Sequence, residues 1–408
     1  MDIRPILSTL QRHKTAAGLI VLEIALSCAV VSNARFLIGN RLERMQRPSG
    51  IDEAHLIAVK ANAVARRDDA MAVTRTDLEA LRAIPGVRSA AIVNMLPFGS
   101  SSWDSGIKLA PDQQDSTANA PNYMLGEDGL RTLGLNVVEG RDFNADEYVN
   151  TDGVSHDALR FPAVILSRAL AQRLFPDDHA VGKSLYVFGA PPHRVVGVVE
   201  RLVKPRDRGS DGGYDESMIF PGRASYAGGT YLLNVADPAQ RETVLDAAKR
   251  KLSARGPVRI FKSKQNTTLE LMRERYYRPD RAMAWLLAGV SMVLLLVTAL
   301  GIVGLASFWV QQRTKQIGIR RALGATRGQI LRYFQTENFL LASAGILLGM
   351  VLAYAINLWL MGKYELPRLP LSYLPFGAVS LWLLGQLAVL GPARRAAAVP
   401  PAVATRSA

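Results

Sequence analysis

The sequence predicts a membrane α-helical protein of four transmembrane helices that carries a large α+β domain of two lobes. Three observations predict it. Four stretches of the 408 residues are long and nearly free of charge, the interval between the first two alternates strand and helix patterns, and most of the net charge of +14 lies outside that interval. Each apolar stretch is long enough to cross ~30 Å of hydrocarbon as a helix. A wholly soluble protein is thereby excluded.

In chain order, Ala16 to Ala34 holds Glu23 as its single charge, while Ala282 to Val310, Asn338 to Met361 and Leu371 to Gly391 hold none. These runs place spans at 16–39, 281–310, 336–361 and 371–391. Between and around them lie an N-terminal segment 1–15, a domain 40–280, a connecting segment 311–335, a short loop 362–370 and a tail 392–408. Ser32 and Ala34 have the small-residue look of a signal-peptide cleavage site, but the apolar run is long for one, so an uncleaved anchor is expected.

Basic residues decide which ends stay inside. Arg4, Arg12 and Lys14 face only Asp2 in the first segment, and Arg313, Lys315, Arg320, Arg321, Arg327 and Arg332 have no acid beside them. The tail adds Arg394, Arg395 and Arg406, whereas the loop 362–370 has Lys363 and Arg368 against Glu365. Both termini and the 311–335 segment are therefore expected in the cytoplasm, with residues 40–280 on the other side. Arg35, Arg41, Arg44 and Arg47 oppose this rule and are outvoted. Residues 40–280 hold 33 Lys and Arg against 31 Asp and Glu, so the basicity belongs to the membrane part. It suits anionic lipid headgroups and excludes nucleic acid as a partner.

Within 40–280, Thr76 and Glu79 read as a capping box opening a helix to Arg82, and Pro85-Gly86 then leads to a strand from Val87 to Val93. Val164 to Phe175 reads as strand then helix, and His193 to Glu200 as a buried strand. Asp237-Pro238 opens a helix to Leu252 with Ala239, Val244, Ala247, Ala248 and Leu252 as its apolar stripe. Leu109 to Pro121 and Lys204 to Gly213 are polar enough to be disordered loops or contact surfaces.

No catalytic constellation emerges. Gly182-Lys183-Ser184 ends like a phosphate-binding loop, but Asp177 stands where that motif requires glycine. His13, His55, His156, His179 and His193 are scattered, Asp207, Asp211 and Asp215 lack calcium-loop spacing, and Cys28 alone forms neither an intrachain disulfide nor a cysteine metal site. The expectation is therefore a chain that is not itself an enzyme and that binds no metal or cofactor. Glu23 is the one intramembrane polar candidate. A carboxylate there costs ~3 kcal/mol on insertion scales, so a hydrogen bond, a pairing across helices or a gating role is expected. Gly345, Gly349 and Ala353 recur at helical spacing in the third span and are candidates for close helix packing.

The most informative segment is Arg313, Thr314, Lys315, Gln316, Ile317, Gly318, Ile319, Arg320, Arg321, Ala322, Leu323, Gly324, Ala325 and Thr326. Physically it is a short basic amphipathic piece. Thr326 and Gln329 then cap a new helix whose Ile330, Phe334 and Leu341 share one face. The alternatives are a headgroup-binding loop and a surface that presses on a soluble partner. This string resembles the signature of the MacB/FtsX family of ABC transporter permeases. Leu133-Gly134-Leu135, Glu139 to Phe143, Ala180 to Lys183 and Val195 to Val199 resemble strings of that family's periplasmic core domain, and Pro392 to Ala397 with Pro401-Ala402 its C-terminal ending.

The resemblance implies a bacterial inner-membrane permease with residues 40–280 as a periplasmic core domain. It implies a dimer with a second copy or a homologous permease, and a cytoplasmic ATPase subunit holding ATP and Mg. It further implies mechanotransmission for export or extraction, with a periplasmic adaptor and an outer-membrane channel as further partners. Residues Gln316 to Thr326 would then contact the ATPase, expected to be a separate subunit. Glu337 stands where the family often has an acid, and Gln316 departs from the family's usual Glu. A regulator of a periplasmic cell-wall hydrolase, in FtsX style, and an ATPase-independent membrane sensor are the alternatives.

Overall fold

The computed structural model describes residues 14–64, 68–155, 158–206, 213–364 and 368–400. Asp2, Arg4, Arg12, His13, His156, Asp207, Asp211, Glu365, Pro401, Ala402 and Arg406 lie outside the described residues. The chain divides into two compact units, Arg47–Arg278 and the rest.

In the membrane unit, four helices among the described residues are long and apolar enough to cross a bilayer. Their bounds run past the apolar stretches for identifiable reasons. The first, Lys14–Gln46, continues to the residue before Arg47-Pro48, where a following proline disfavours helical backbone. Its outer turns hold Arg41, which is ion-paired to Asp280, with Arg44 4.0 Å from the same carboxylate. That acid offsets part of the basic group that opposed the topology rule. The second helix, Arg278–Gln312, takes Pro279 in its first turn, where proline is tolerated.

The third helix, Arg327–Tyr364, starts well before residue 336 because the Thr326 and Gln329 pair caps it. The Gln329 amide donates to Thr326 Oγ1 at 3.2 Å, and the Thr326 amide donates to Gln329 Oε1 at 2.8 Å. The fourth, Leu374–Ala397, does not stop at Gly391. It continues through Pro392 because Ala393, Ala396 and Ala397 are buried against Ile317, Ile330 and Phe334. Packing there outweighs the proline.

The outer unit is a mixed sheet with helices against it. Edge to edge its strands are Thr267–Thr268, Leu56–Val59, Thr230–Val235, Val87–Val93, Ala118–Leu125, Met218–Arg223, Ala163–Ser167, His193–Val199 and Val137–Gly140. Ala118–Leu125 with Met218–Arg223, and Ala163–Ser167 with His193–Val199, run parallel. Strand alternation sends Leu56 and Ala58 into one hydrophobic cluster and Ile57 and Val59 into another, so both faces are covered. A third cluster gathers Phe161, Phe188 and Phe220 near the far end of the sheet.

Three local expectations are corrected. The helix expected at Thr76 begins at Ala70, and Thr76 donates from its interior to the Ala72 carbonyl at 3.2 Å, because the preceding Ala-Met-Ala-Val run is itself helix-compatible. Leu109 to Pro121 is neither wholly loop nor disordered. Its end is strand from Ala118, and the turn before it is tied by Gln113, which accepts from the Leu109 amide at 2.9 Å and donates to Thr117 Oγ1 at 2.9 Å. The helix after Asp237-Pro238 starts as a short tight turn, Pro238–Gln240, and leaves Ala239 exposed, outside the buried stripe of Val244, Ala248 and Leu252. Gly182 sits in a turn at φ +92, donating to the Val195 carbonyl at 2.8 Å, while Lys183 pairs with Asp178 at 2.7 Å. The Gly-Lys-Ser string is thus occupied in holding a strand connection.

One ion pair fixes the core. Arg259 Nη1 lies 2.7 Å from Asp77 Oδ2 with both side chains buried, Tyr231 donates its hydroxyl to the same carboxylate, and the guanidinium stacks over Tyr226 at 4.7 Å. Removing one member of a buried pair strands the other charge. Asp77→Ala is expected to destabilise this unit by ~3–5 kcal/mol, seen as a lowered transition in calorimetry of the full chain; an unchanged transition contradicts the assignment.

His193 is fully buried, its Nδ1 donating to the Phe161 carbonyl at 2.6 Å and its Nε2 accepting from the Phe188 amide at 3.4 Å. Burial pushes the imidazole pKa below its usual value, and Arg160 adds to the effect. The unfolded chain therefore binds a proton near pH 6.5 that the folded chain refuses. Stability contributed by this site is complete above that pH and is lost as pH falls through it, by up to about 1.4 kcal/mol per unit. Unfolding midpoints of the full chain at pH 7.5 and 5.5 should differ less in His193→Gln than in the parent; equal differences would count against it.

Candidate functional site

The segment singled out in the sequence forms a helix, Thr314–Ala322, between the second and third long helices. Positions spaced by four share a face, and here Arg313, Ile317 and Arg321 turn inward. Arg313 Nη1 lies 3.0 and 2.9 Å from the two carboxylate oxygens of Glu337, in the second turn-pair of the third helix, and its guanidinium stacks over Trp309 at 5.4 Å. Both side chains of the pair are at most 10% exposed. Ile317 enters the cluster of Ile330, Phe334, Ala393 and Ala396. Arg321 donates to the Ala397 and Val399 carbonyls at 3.0 and 2.9 Å, binding the C-terminal end of the fourth helix, where carbonyls lack helical partners and the dipole favours a cation. Three inward residues thus tie the short helix to the second, third and fourth long helices.

The helix ends in a Schellman motif. The Ala325 amide donates to the Arg320 carbonyl at 3.0 Å and the Gly324 amide to that of Arg321 at 3.1 Å, with Gly324 at φ +98. This glycine is required by the left-handed turn. The outward side is different in kind. Leu323 is 84% and Ile319 48% exposed, and Lys315, Gln316, Arg320, Ala322 and Thr326 surround them at the surface. Arg320 stacks over Tyr333 at 5.1 Å, and Gln316 lines a cleft of about 40 Å³ with Arg313 and Arg320. Gly318 is buried beside Ile317. The face therefore presents two aliphatic side chains ringed by basic and polar groups, on a rigidly seated helix.

Gly345, Gly349 and Ala353 line the seam between the third and first helices. A Cβ on Gly345 would meet Ile24 Cβ at 2.8 Å and the Val21 carbonyl at 2.9 Å, and one on Gly349 would meet the Ala25 carbonyl at 2.7 Å. Ala353 is fully buried, and its carbonyl accepts from Asn33 Nδ2 at 3.1 Å. Ser27 and Thr298 hydroxyls, 2.7 Å apart, join the first and second helices. Glu23 lies against the second helix, its Oε2 2.6 Å from where a Cβ on Gly301 would stand, so the glycine makes its notch. Among the described residues nothing hydrogen-bonds its carboxylate, and the sequence-based hydrogen bond for it is not found. Sequence reasoning noted Glu337 only by resemblance and missed its pairing with Arg313, which is 24 positions away.

Residues 18–251 match the MacB-like periplasmic core domain and residues 288–401 the FtsX-like permease C-terminal domain. The chain belongs to the MacB/FtsX family of ABC transporter permeases. Among curated relatives, the macrolide export ATP-binding/permease protein MacB of Marinobacter nauticus is 31% identical over 283 residues, covering 66% of this chain and 41% of the relative. That of Chromobacterium violaceum is 29% identical over 246 residues, covering 59% and 35%. The chain thus spans less than half the length of these relatives. The solved periplasmic region of MacB from Actinobacillus actinomycetemcomitans aligns with 58% of this chain and 98% of its own, at 14% identity and a TM-score of 0.33.

In this MacB/FtsX chain the Arg313–Glu337 pair has a direct test. Arg313→Met removes the cation that bonds both oxygens of a buried carboxylate and is expected to lower the thermal transition of the purified protein more than the double change Arg313→Met with Glu337→Leu, which removes both charges. Equal losses would mean that the two side chains act independently.

Proposed function

We propose that this chain is the permease part of an ABC transporter, coupling ATP hydrolysis by a cytoplasmic ATPase to motion of its periplasmic domain for export or extraction of a substrate. The carrying observation is the short helix Thr314–Ala322, tied on its inner face by Arg313, Ile317 and Arg321 and exposing Ile319 and Leu323 on the other. An exposed aliphatic pair within a polar rim is the composition of a small protein contact. A push on that face reaches the first helix through Glu337, which belongs to the same helix as the Gly345 and Gly349 seam. The orientation in this reading has both termini and residues 311–335 in the cytoplasm, with the outer unit in the periplasm of a bacterial inner membrane, following the basic residues. ATP and Mg are held by the ATPase. The permease works as a dimer with a second copy or a homologous permease, and an adaptor with an outer-membrane channel completes the export route.

The relatives are named as macrolide exporters; a macrolide is one substrate to try here. Affinity purification of the tagged chain from gently solubilised membranes should recover an ABC ATPase. Recovery of a cell-wall hydrolase instead supports the regulator of FtsX style. In a reconstituted complex, Leu323→Asp and Arg320→Glu should each lower ATPase stimulation by roughly tenfold, the loss of about 1.4 kcal/mol of contact, and Gly318→Pro should lower it by breaking the helix that presents the face, with expression retained in all three. Unchanged stimulation removes this segment from the coupling route. Glu23→Gln tests gating separately: normal transport would leave Glu23 with a structural part only.

A further inference from the structure

The outer unit holds a cleft of about 530 Å³, within the roughly 300–1,000 Å³ range of small-molecule sites. It opens where Ala58–Lys60, the Asn94–Ser101 loop, Thr230, Lys264–Gln265 and the helix Leu269–Tyr276 converge. Its chemistry is one-sided. Lys60, Lys264 and Arg275 line it, no Asp or Glu does, and among the described residues none of the three cations is in an ion pair. Beside them stand Met95, Leu96, Phe98, Met272 and Tyr276, an apolar wall with two adaptable thioethers.

The wall is set before any ligand arrives. Phe98 holds φ +63, a left-handed conformation rare for a bulky residue. It is kept there by Tyr276 and Tyr277, with ring centroids at 5.8 and 6.0 Å, and by the Arg273 guanidinium stacked at 5.3 Å. Asn94 is locked by donating to the Asn122 carbonyl at 2.9 Å and accepting from the Met124 amide at 2.8 Å. The backbone of Lys60 is gripped on both sides by the Asn266 side chain, at 3.1 and 3.3 Å.

We propose that this cleft binds an amphipathic anion, an acyl or similar apolar body carrying one carboxylate or phosphate, with the head against Lys60, Lys264 and Arg275 and the body along Phe98 and the two methionines. Charge complementarity selects the head: a neutral amphiphile leaves three cations unanswered, and an inorganic anion leaves the apolar wall wet. Occupancy is a property of the outer unit and is measured without ATP, so it stands or falls apart from the coupling reading.

The experiment uses the full chain in nanodiscs of zwitterionic phosphatidylcholine, photolabelled with a diazirine-bearing dodecanoate and mapped by peptide mass spectrometry. Label is expected on peptides containing Met95–Ser101 or Met272–Tyr276, displaced by dodecanoate and by dodecyl phosphate but not by dodecanol. Lys264→Gln and Arg275→Gln, at exposed positions, should each reduce it several-fold, and the combination with Lys60→Gln should abolish it. Label confined to the long helices, equal displacement by dodecanol, or full labelling of the triple variant would overturn the proposal. A cleft closed by a second copy of the chain would leave it unlabelled, which also overturns it.

Discussion

The buried pair of Arg313 and Glu337 is the constraint on which the short helix Thr314–Ala322 of the membrane unit depends. Breaking a buried pair costs ~3–5 kcal/mol, so folding favours the arrangement in which the two residues meet. Their meeting sets the angle at which the chain leaves the second helix, because Arg313 is both the residue after that helix and the N-cap of the next. Once it is fixed, Ile317 and Arg321 follow at one and two turns along and reach the hydrophobic cluster and the open carbonyls of the fourth helix. The outward residues have no choice left: Ile319 and Leu323 face away.

The same pair links the short helix to the rest of the bundle. Glu337 and the glycines at 345 and 349 lie on a continuous helix, and those glycines let it touch the backbone of the first helix. Backbone contact leaves little slack, since interiors are close-packed and respond as bodies rather than as fluids. Glu23 in its notch at Gly301 and the Ser27 and Thr298 hydroxyls extend the contacts to the second helix. A bundle joined in this way transmits displacement, and the proposed coupling uses that property.

Much of this was legible because hydrophobic periodicity and capping are local. The apolar runs, the strand and helix around Ala163–Leu174, the cap at Thr326 and Gln329, and the shared face of Ile330, Phe334 and Leu341 each follow from residues within a few turns of one another. What was not legible is what distance in sequence hides. Arg313 gives no sign that its partner is Glu337, nor Asp77 that its partner is Arg259, 182 positions on. The order of strands in the sheet is likewise set by packing between distant segments. Composition misled at Pro392, where buried alanines hold the helix together, and at Leu109 to Pro121, where polar residues tie a hairpin rather than loosen a loop. The outer cleft left no motif, because its three cations come from separate elements.

The central claim is that the outward face of Thr314–Ala322 and Leu323 docks a cytoplasmic ATPase. Photo-crosslinking in intact membranes from a benzophenone side chain placed at Leu323 tests it most directly, with Arg250, on the outer unit, as the control site. The account predicts a crosslinked ATP-binding cassette protein from position 323 and none from 250. Crosslinks from 323 to lipid alone, or to no protein at all, would contradict it.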